Sequence, residues 1–216
     1  MMKKIHYIYM VLVAVALASC NDWLDVQPHS QIEDSELFTT ESGYKEALAG
    51  VYSSMVSTST YAKEMTFGFI GVLGQEWDYY SSAMYDAVAT YDYEAAYPTN
   101  YIEGIWKNNY SGISNVNNLL AHIDDDVKLF SEGNYEVIKG EALALRAMLH
   151  FDLLRCFGVS FAVNSDMPSI PYSTALDYHV FPQVSVREAS WALCSRAGEP
   201  VGGGQPSCWA SPLPQS

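Results

Sequence analysis

The 216-residue chain is poor in basic side chains, with 11 lysines and arginines against 25 aspartates and glutamates and a formal net charge of −14. Proteins that bind nucleic acid or anionic membrane surfaces neutralise phosphates with Lys and Arg. The acidic balance therefore argues against nucleic acid as a partner. The four cysteines form no C-x-x-C pair and none has metal-ligand spacing to a histidine, so the sequence predicts no metal site and no cofactor.

One long apolar run is present, at the N-terminus. Lys3 and Lys4 precede a mostly apolar stretch over residues 5–18, which is shorter than the roughly 20 residues that span a bilayer. The stretch ends in Leu17-Ala18-Ser19-Cys20, so we predict a signal peptide over residues 1–19. The tetrad resembles a bacterial lipobox, which implies lipid attachment at Cys20. An ordinary signal peptide followed by a cysteine is the alternative.

Apolar residues recur at helical spacing in three later stretches. The predicted helices cover about residues 44–55, 102–123 and 134–157. Thr39 or Thr40 is placed to cap the first helix and Thr99 or Asn100 the second, while Gly158 ends the third as a C-terminal glycine. No strand alternation and no strict 34-residue repeat is found. The sequence therefore predicts an all-α fold of helical hairpins with long loops.

The segment between the first two predicted helices has a different amino-acid composition. Residues 77–101 contain seven tyrosines and one tryptophan, interleaved with aspartate, glutamate and asparagine and with few aliphatic residues. A core segment needs leucine and valine to fill space. The composition is instead typical of a loop-rich surface that displays flat amphipathic rings.

The amino-acid composition changes again in the C-terminal part. Eleven of the twenty residues from Ala197 to Ser216 are Gly, Pro or Ser, and no tyrosine follows Tyr178. Such a segment buries too little apolar surface to offset its ordering entropy. We interpret residues 189–216 as a divergent tail produced by loss of the reading frame, with a natural linker as the alternative. Cysteine bridges from Cys156 to Cys194 or Cys208 are left open.

Several sequence blocks, taken in order, resemble the N-terminal part of the SusD/RagB family of outer-membrane nutrient-binding lipoproteins. The resemblance covers about residues 17–188. Its blocks are Leu24-Asp25-Val26-Gln27-Pro28, Phe38-Thr39-Thr40-Glu41-Ser42-Gly43-Tyr44, Ala47-Leu48-Ala49-Gly50-Val51-Tyr52, Trp106 with Tyr110, Lys139-Gly140-Glu141-Ala142-Leu143-Ala144-Leu145-Arg146-Ala147, His150-Phe151-Asp152-Leu153-Leu154-Arg155 and Ile170-Pro171-Tyr172.

The resemblance implies a fold of tetratricopeptide-like helix pairs over residues 20–188. It also implies a protein that binds an oligosaccharide or another nutrient at the cell surface without chemistry on it. The implied partners are a SusC-like TonB-dependent transporter and the outer membrane, which the lipid on Cys20 would enter. Because family members usually run to several hundred residues, we expect an incomplete domain.

In the family the segment before the second long helix often contributes to the ligand surface. We therefore expect ligand contacts from the rings of Trp77, Tyr80 and Tyr85, with Asp78 and Asn100 as hydrogen-bonding partners. The alternative is that these rings pack beneath the loop or against the transporter. We interpret the charged residues of the 139–155 block as structural ties between helices.

Two other function classes compete with nutrient binding. A surface glycoside hydrolase needs a pair of carboxylates, but 25 acidic residues make such pairs common and uninformative. The sequence has no G-x-S-x-G, HExxH, Walker or dinucleotide motif, so we predict that the protein is not an enzyme. A scaffold or adhesin lipoprotein without glycan affinity is the other alternative.

Overall fold

The computed structural model describes residues 37–76, 84–177 and 181–197. The predicted signal peptide, Cys20 and residues 198–216 lie outside this part. In chain order its elements are α1 (Glu41–Met55), α2 (Phe69–Leu73), α3 (Asp86–Ala89), α4 (Ala96–Ile123), a 3₁₀ turn (Val127–Leu129), α5 (Asn134–Phe157), β1 (Pro168–Pro171), β2 (Gln183–Ser185) and α6 (Val186–Ala197). Strands β1 and β2 pair antiparallel in a two-stranded sheet. The mostly helical architecture confirms the predicted fold class.

Helix α1 begins as its sequence predicts. The hydroxyl oxygen of Thr40 accepts a hydrogen bond from the backbone N–H of Gly43 at 3.2 Å, which satisfies one of the unpaired donors of the first turn. The Glu41 carboxylate accepts from the Ser131 N–H and the Asn134 side-chain amide at 2.6 and 2.7 Å. The hydrogen bond between Glu41 and Lys45 is the main cause that lowers the pKa of Glu41 to about 2, and the bonds from Ser131 and Asn134 lower it further.

Helix α4 begins at Ala96, six residues before the predicted start, and no side chain caps it. Thr99 and Asn100 lie inside the helix, so their prediction as caps is wrong. Pro98 is accommodated because the first turn of a helix has no partner for its backbone N–H groups. The Thr99 hydroxyl instead donates to the Tyr93 and Ala95 carbonyl oxygens at 3.1 and 3.0 Å.

Helix α5 spans Asn134–Phe157, in agreement with the predicted bounds. Gly158 follows it with φ −90° and ψ 155°, an extended conformation and not the left-handed one expected of a C-terminal glycine. A Cβ atom at this position would lie 2.7 Å from the Leu154 carbonyl oxygen. Glycine is therefore required here by the close approach of backbone and not by a positive φ.

The consecutive helices α4 and α5 pack together as a helical hairpin, and α1 packs against α4. Their facing side chains form the largest apolar core, which includes Tyr44, Leu48, Val116, Leu119, Ile123 and Leu145. A second core joins α5 to β1 and α6 and includes Leu149, Leu153, Ile170, Val186 and Ala189. The sheet and the last helix are thus fixed against the C-terminal half of α5.

Helix α6 crosses the boundary predicted between residues 188 and 189. Val186 and Ala189 are buried against the second core, and the helix continues to Ala197. The interpretation of the following residues as the product of a shifted frame stays a prediction, because residues 198–216 lie outside the described part. Cys156, the residue before the last of α5, is exposed, and no disulfide joins it to Cys194.

No helix among the described residues is both long and apolar enough to cross a membrane.

Candidate functional site

The structure describes two of the five predicted ligand contacts. Trp77, Asp78 and Tyr80 lie outside the described residues, which stop at 76 and resume at 84. Asn100 is exposed on the first turns of α4, where its amide can reach a ligand in solution. Tyr85 is half-buried and faces the protein interior.

Tyr85 belongs to a small polar cluster that it forms with Tyr101, Glu64 and Lys63. Its ring stacks on that of Tyr101, with centroids 5.7 Å apart, and its hydroxyl donates to both Glu64 carboxylate oxygens at 3.2 Å. Burial is the largest of the effects that raise the pKa of Tyr101 to about 12. In this conformation the Tyr85 ring packs against Tyr101 and its hydroxyl binds Glu64.

The acceptor in this cluster, Glu64, is itself nearly inaccessible, with 4% of its surface exposed. It accepts the backbone N–H of Phe69 at 2.8 Å, at the start of α2, and pairs with Lys63 at 3.0 Å. Hydrogen bonds with Tyr85 and then Glu64 raise the pKa of Lys63. A buried carboxylate with this many partners is a structural anchor, since each partner offsets its desolvation.

Three other tyrosines of the segment face solvent. Tyr91 and Tyr93 lie in the loop between α3 and α4, and Tyr97 in the first turn of α4, with 49, 49 and 43% of their surfaces exposed. We call these three residues the tyrosine surface. The carboxylates of Asp92 and Glu94 are exposed in the same loop. The surface therefore combines flat rings with hydrogen-bond acceptors.

The tyrosine surface is held by a strained corner. Gln75 and Tyr91 are the non-glycine residues with positive φ in the described part of the chain, at 53° and 59°. They contact each other, because the Gln75 side-chain amide donates to the Tyr91 hydroxyl at 3.0 Å. A left-handed conformation costs about 1–2 kcal/mol for an L-residue, and such strain tends to occur at functional sites. In the sequence, Gln75 precedes Trp77 by two residues.

Local hydrogen bonds fix the rest of this loop. The Asp92 N–H donates to the Ala87 carbonyl at 2.9 Å, and the Asp92 carboxylate accepts from the Glu94 N–H at 3.3 Å. Thr99 binds the Tyr93 carbonyl from within α4. The tyrosine rings thus stand on an ordered backbone, which lowers the entropy lost when a ligand binds.

The chemistry of this surface suits a polyhydroxylated ligand with apolar faces. Tyrosine rings can cover C–H groups while their hydroxyls and the nearby carboxylates form hydrogen bonds. No group of three metal-ligating side chains occurs among the described residues. The individual roles of Tyr91, Tyr93 and Tyr97 were not predicted, although their alternation with Asp92 and Glu94, without aliphatic neighbours, was a signal of exposure.

Comparisons with known proteins agree with this architecture. A SusD-like family model, described as "Starch-binding associating with outer membrane", matches residues 22–191. A SusD superfamily protein from Bacteroides fragilis superposes with a TM-score of 0.61 at 20% identity, over 74% of this chain and 38% of that one. A SusD-like carbohydrate binding protein from Bacteroides vulgatus gives 0.56 at 21% identity, over 72% and 34%.

At these identities the two structures show a shared fold, and the present chain spans little more than a third of the length of either. No curated protein sequence matches the chain significantly.

Proposed function

Because the chain belongs to the SusD-like family, described as starch-binding and associating with the outer membrane, we propose that it binds a glycan at that membrane. The observation that carries the proposal is the tyrosine surface, with two exposed rings on a strained and hydrogen-bonded loop and a third in the first turn of α4. Exposed aromatic rings lose little conformational entropy on binding and offer large contact areas. Trp77, Asp78, Tyr80 and Asn100 extend this proposed site.

The wider role follows from the family. In this proposal the protein is anchored in the outer membrane by lipid on Cys20, and its helical domain lies at the cell surface. It hands the bound glycan to a SusC-like TonB-dependent transporter. The similarity to a SusD-like carbohydrate binding protein from Bacteroides vulgatus supports the ligand class.

We propose binding without catalysis. A lectin-like surface needs rings and hydrogen-bonding groups, whereas hydrolysis needs two carboxylates that flank a scissile bond at a set separation. Glu64, the carboxylate most shielded from water in the described part of the chain, is committed to Phe69, Tyr85 and Lys63. Reducing ends released from a bound glycan by the purified protein would contradict this proposal and favour a surface glycoside hydrolase.

The experiment is a binding titration of the purified chain against a panel of soluble glycans that includes starch. Tyr93→Ala and Tyr97→Ala are each expected to lower the affinity for the glycan by about tenfold or more. Truncating an aromatic side chain that contacts the ligand typically removes over about 1.4 kcal/mol of binding free energy. Neither hydroxyl forms a hydrogen bond with the described residues, so the fold should tolerate both changes.

Tyr52→Ala is the control, because Tyr52 is 42% exposed but lies on α1, where its hydroxyl donates to Glu141 at 2.6 Å. Its affinity should equal that of the unmodified chain. Equal affinities of all three variants would overturn the tyrosine surface as the site. A panel without any bound glycan would favour the scaffold or adhesin alternative.

A further inference from the structure

A separate cleft of about 280 Å³ lies further along α4, between this helix and the chain around β1. Its walls include Trp106, Tyr110, Ser114, Ser173, Asp177 and Phe181. Trp106 and Tyr110 follow Tyr97 by nine and thirteen residues, which separates the cleft from the tyrosine surface by about 13–20 Å of helix at 1.5 Å per residue. Neither Tyr85 nor Asn100, the two predicted ligand contacts that the structure describes, lines it.

The aromatic wall of the cleft is rigid. The rings of Trp106 and Tyr110 have centroids 4.9 Å apart at an angle of 51°, and Phe157 packs edge-on against the Trp106 ring at 4.9 Å. The Tyr110 hydroxyl donates to the Pro171 carbonyl oxygen at 2.7 Å, which ties α4 to the end of β1. The two rings therefore present fixed faces to the cleft.

Buried polar contacts fix the opposite wall. The Ser173 N–H donates to His150 Nε2 at 3.1 Å, and the Ser173 hydroxyl oxygen accepts from the Asn117 amide at 3.2 Å. Arg146 Nη1 donates to Asn117 Oδ1 at 3.1 Å and to the Thr174 carbonyl at 3.4 Å. Ser173 lines the cleft, whereas His150, Asn117 and Arg146 hold this wall without lining the cleft themselves.

Two polar groups of the cleft have no hydrogen-bond partner in the described part of the chain. The Trp106 indole N–H and the Ser114 hydroxyl form no hydrogen bond with any described residue. The Asp177 carboxylate adds negative charge, and no lysine, arginine or histidine is among the described residues that line the cleft. The donors, acceptors and charge suit hydroxyl groups and disfavour an anionic ligand.

Size narrows the ligand further. Pockets that enclose drug-sized molecules have volumes of about 300–1,000 Å³, so the present cleft has room for one six-membered ring and not for several. We propose that the cleft binds a single neutral pyranose unit, with its C–H face on Trp106 and Tyr110 and its hydroxyls on Ser114 and Asp177. The proposal rests on the proposed function for its ligand class and adds a second subsite of defined charge and size.

The test uses methyl α-glucoside, methyl α-mannoside and methyl β-galactoside as probes, with saturation-transfer NMR on the purified chain. Ser114→Ala removes one hydrogen bond to the probe and is expected to lower the affinity for the probe about three- to tenfold. Ser111→Ala is the control, an exposed serine on α4 outside the cleft. Trp106→Phe keeps an aromatic ring without the N–H and should weaken the probe to a similar extent.

Charge selectivity provides an independent readout. Methyl glucuronoside should bind more weakly than methyl glucoside, and Asp177→Asn should reduce the difference between them. Three results would each overturn the subsite: equal affinities of Ser114→Ala and Ser111→Ala, equal binding of the charged and neutral probes, or equal binding of phenol, which has a ring but no pyranose hydroxyls.

The two sites can fail separately. Tyr97→Ala should leave the methyl glycosides bound at the cleft. If Tyr97→Ala weakens glycans while no methyl glycoside depends on Ser114, the cleft is refuted and the proposed function stands. If the methyl glycosides depend on Ser114 but no glycan depends on the tyrosine surface, the proposed binding surface is refuted and the cleft stands.

Discussion

Acidification from pH 7.5 to pH 5 is expected to destabilise the protein through His150 on α5. This side chain has no exposed surface and uses both ring nitrogens. Since the Ser173 N–H can only donate, Nε2 is the acceptor at 3.1 Å, and Nδ1 carries the hydrogen that it donates to the Arg146 carbonyl at 2.9 Å. Protonation of Nε2 would bring its new N–H against the N–H of Ser173, so this hydrogen bond would be lost. It would also place a positive charge beside the guanidinium of Arg146.

The magnitude follows from the displaced pKa. Burial is the main cause that lowers the pKa of His150 from 6.5 to about 4, so the unfolded chain takes up a proton at a higher pH than the folded one. Stability is therefore fully present above pH 6.5 and declines as the pH falls toward 4. At 1.36 kcal/mol for each pKa unit, the loss in free energy of unfolding between pH 7.5 and pH 5 is about 2 kcal/mol.

The assay is urea unfolding followed by circular dichroism at pH 7.5, 6 and 5. His150→Gln retains an acceptor for Ser173 but does not titrate, so about 2 kcal/mol of the pH dependence should disappear. His122→Gln is the control, a half-buried histidine on α4 whose ring stacks on Phe38, and it should keep the full dependence. The same pH dependence in His150→Gln and the unmodified chain would refute the reasoning.

Two further predictions concern helix ends and glycines, each measured by thermal or urea unfolding. Thr40→Ala removes the N-cap bond to Gly43 and should destabilise the protein by about 1 kcal/mol, and no change would mean that water replaces the cap. Gly158→Ala should destabilise by about 1–3 kcal/mol, because its Cβ would lie 2.7 Å from the Leu154 carbonyl oxygen. Gly140→Ala, with no atom within 4 Å of its Cβ and a helical backbone, should stabilise by about 0.5–1 kcal/mol, and the same sign for both would contradict the packing argument.

Helix existence was predictable wherever one apolar stripe continues over several turns. The bounds of α5 follow from such a stripe together with Gly158, even though the backbone of that glycine is extended and not left-handed. The start of α4 was missed because Pro98, Thr99 and Asn100 together look like a boundary. Proline in the first turn leaves no N–H unsatisfied, so the helix can begin before it.

The details of the site depend on contacts that no local pattern records. The left-handed backbone of Gln75 and Tyr91 has no mark in the sequence, since neither residue type prefers positive φ. The burial of Tyr85 depends on Glu64, twenty-one residues earlier. The cleft brings Trp106 of α4 and Asp177 of the chain after β1 to one site, a juxtaposition that only tertiary packing creates.

The 139–155 block was interpreted as structural, and its contacts explain why charged and polar residues occur on a buried helix. Asp152 accepts from the Tyr61 hydroxyl at 2.7 Å, and Arg146 is only 7% exposed while it binds Asn117. A buried guanidinium is tolerated when its donors are satisfied, and leucine could not bind a carbonyl of the chain beyond β1. The polar residues of α5 thus position a loop, at Ser173 and its neighbours, that the apolar core cannot reach. The same loop forms a wall of the cleft, so stability and the shape of the proposed pyranose subsite depend on one set of buried bonds.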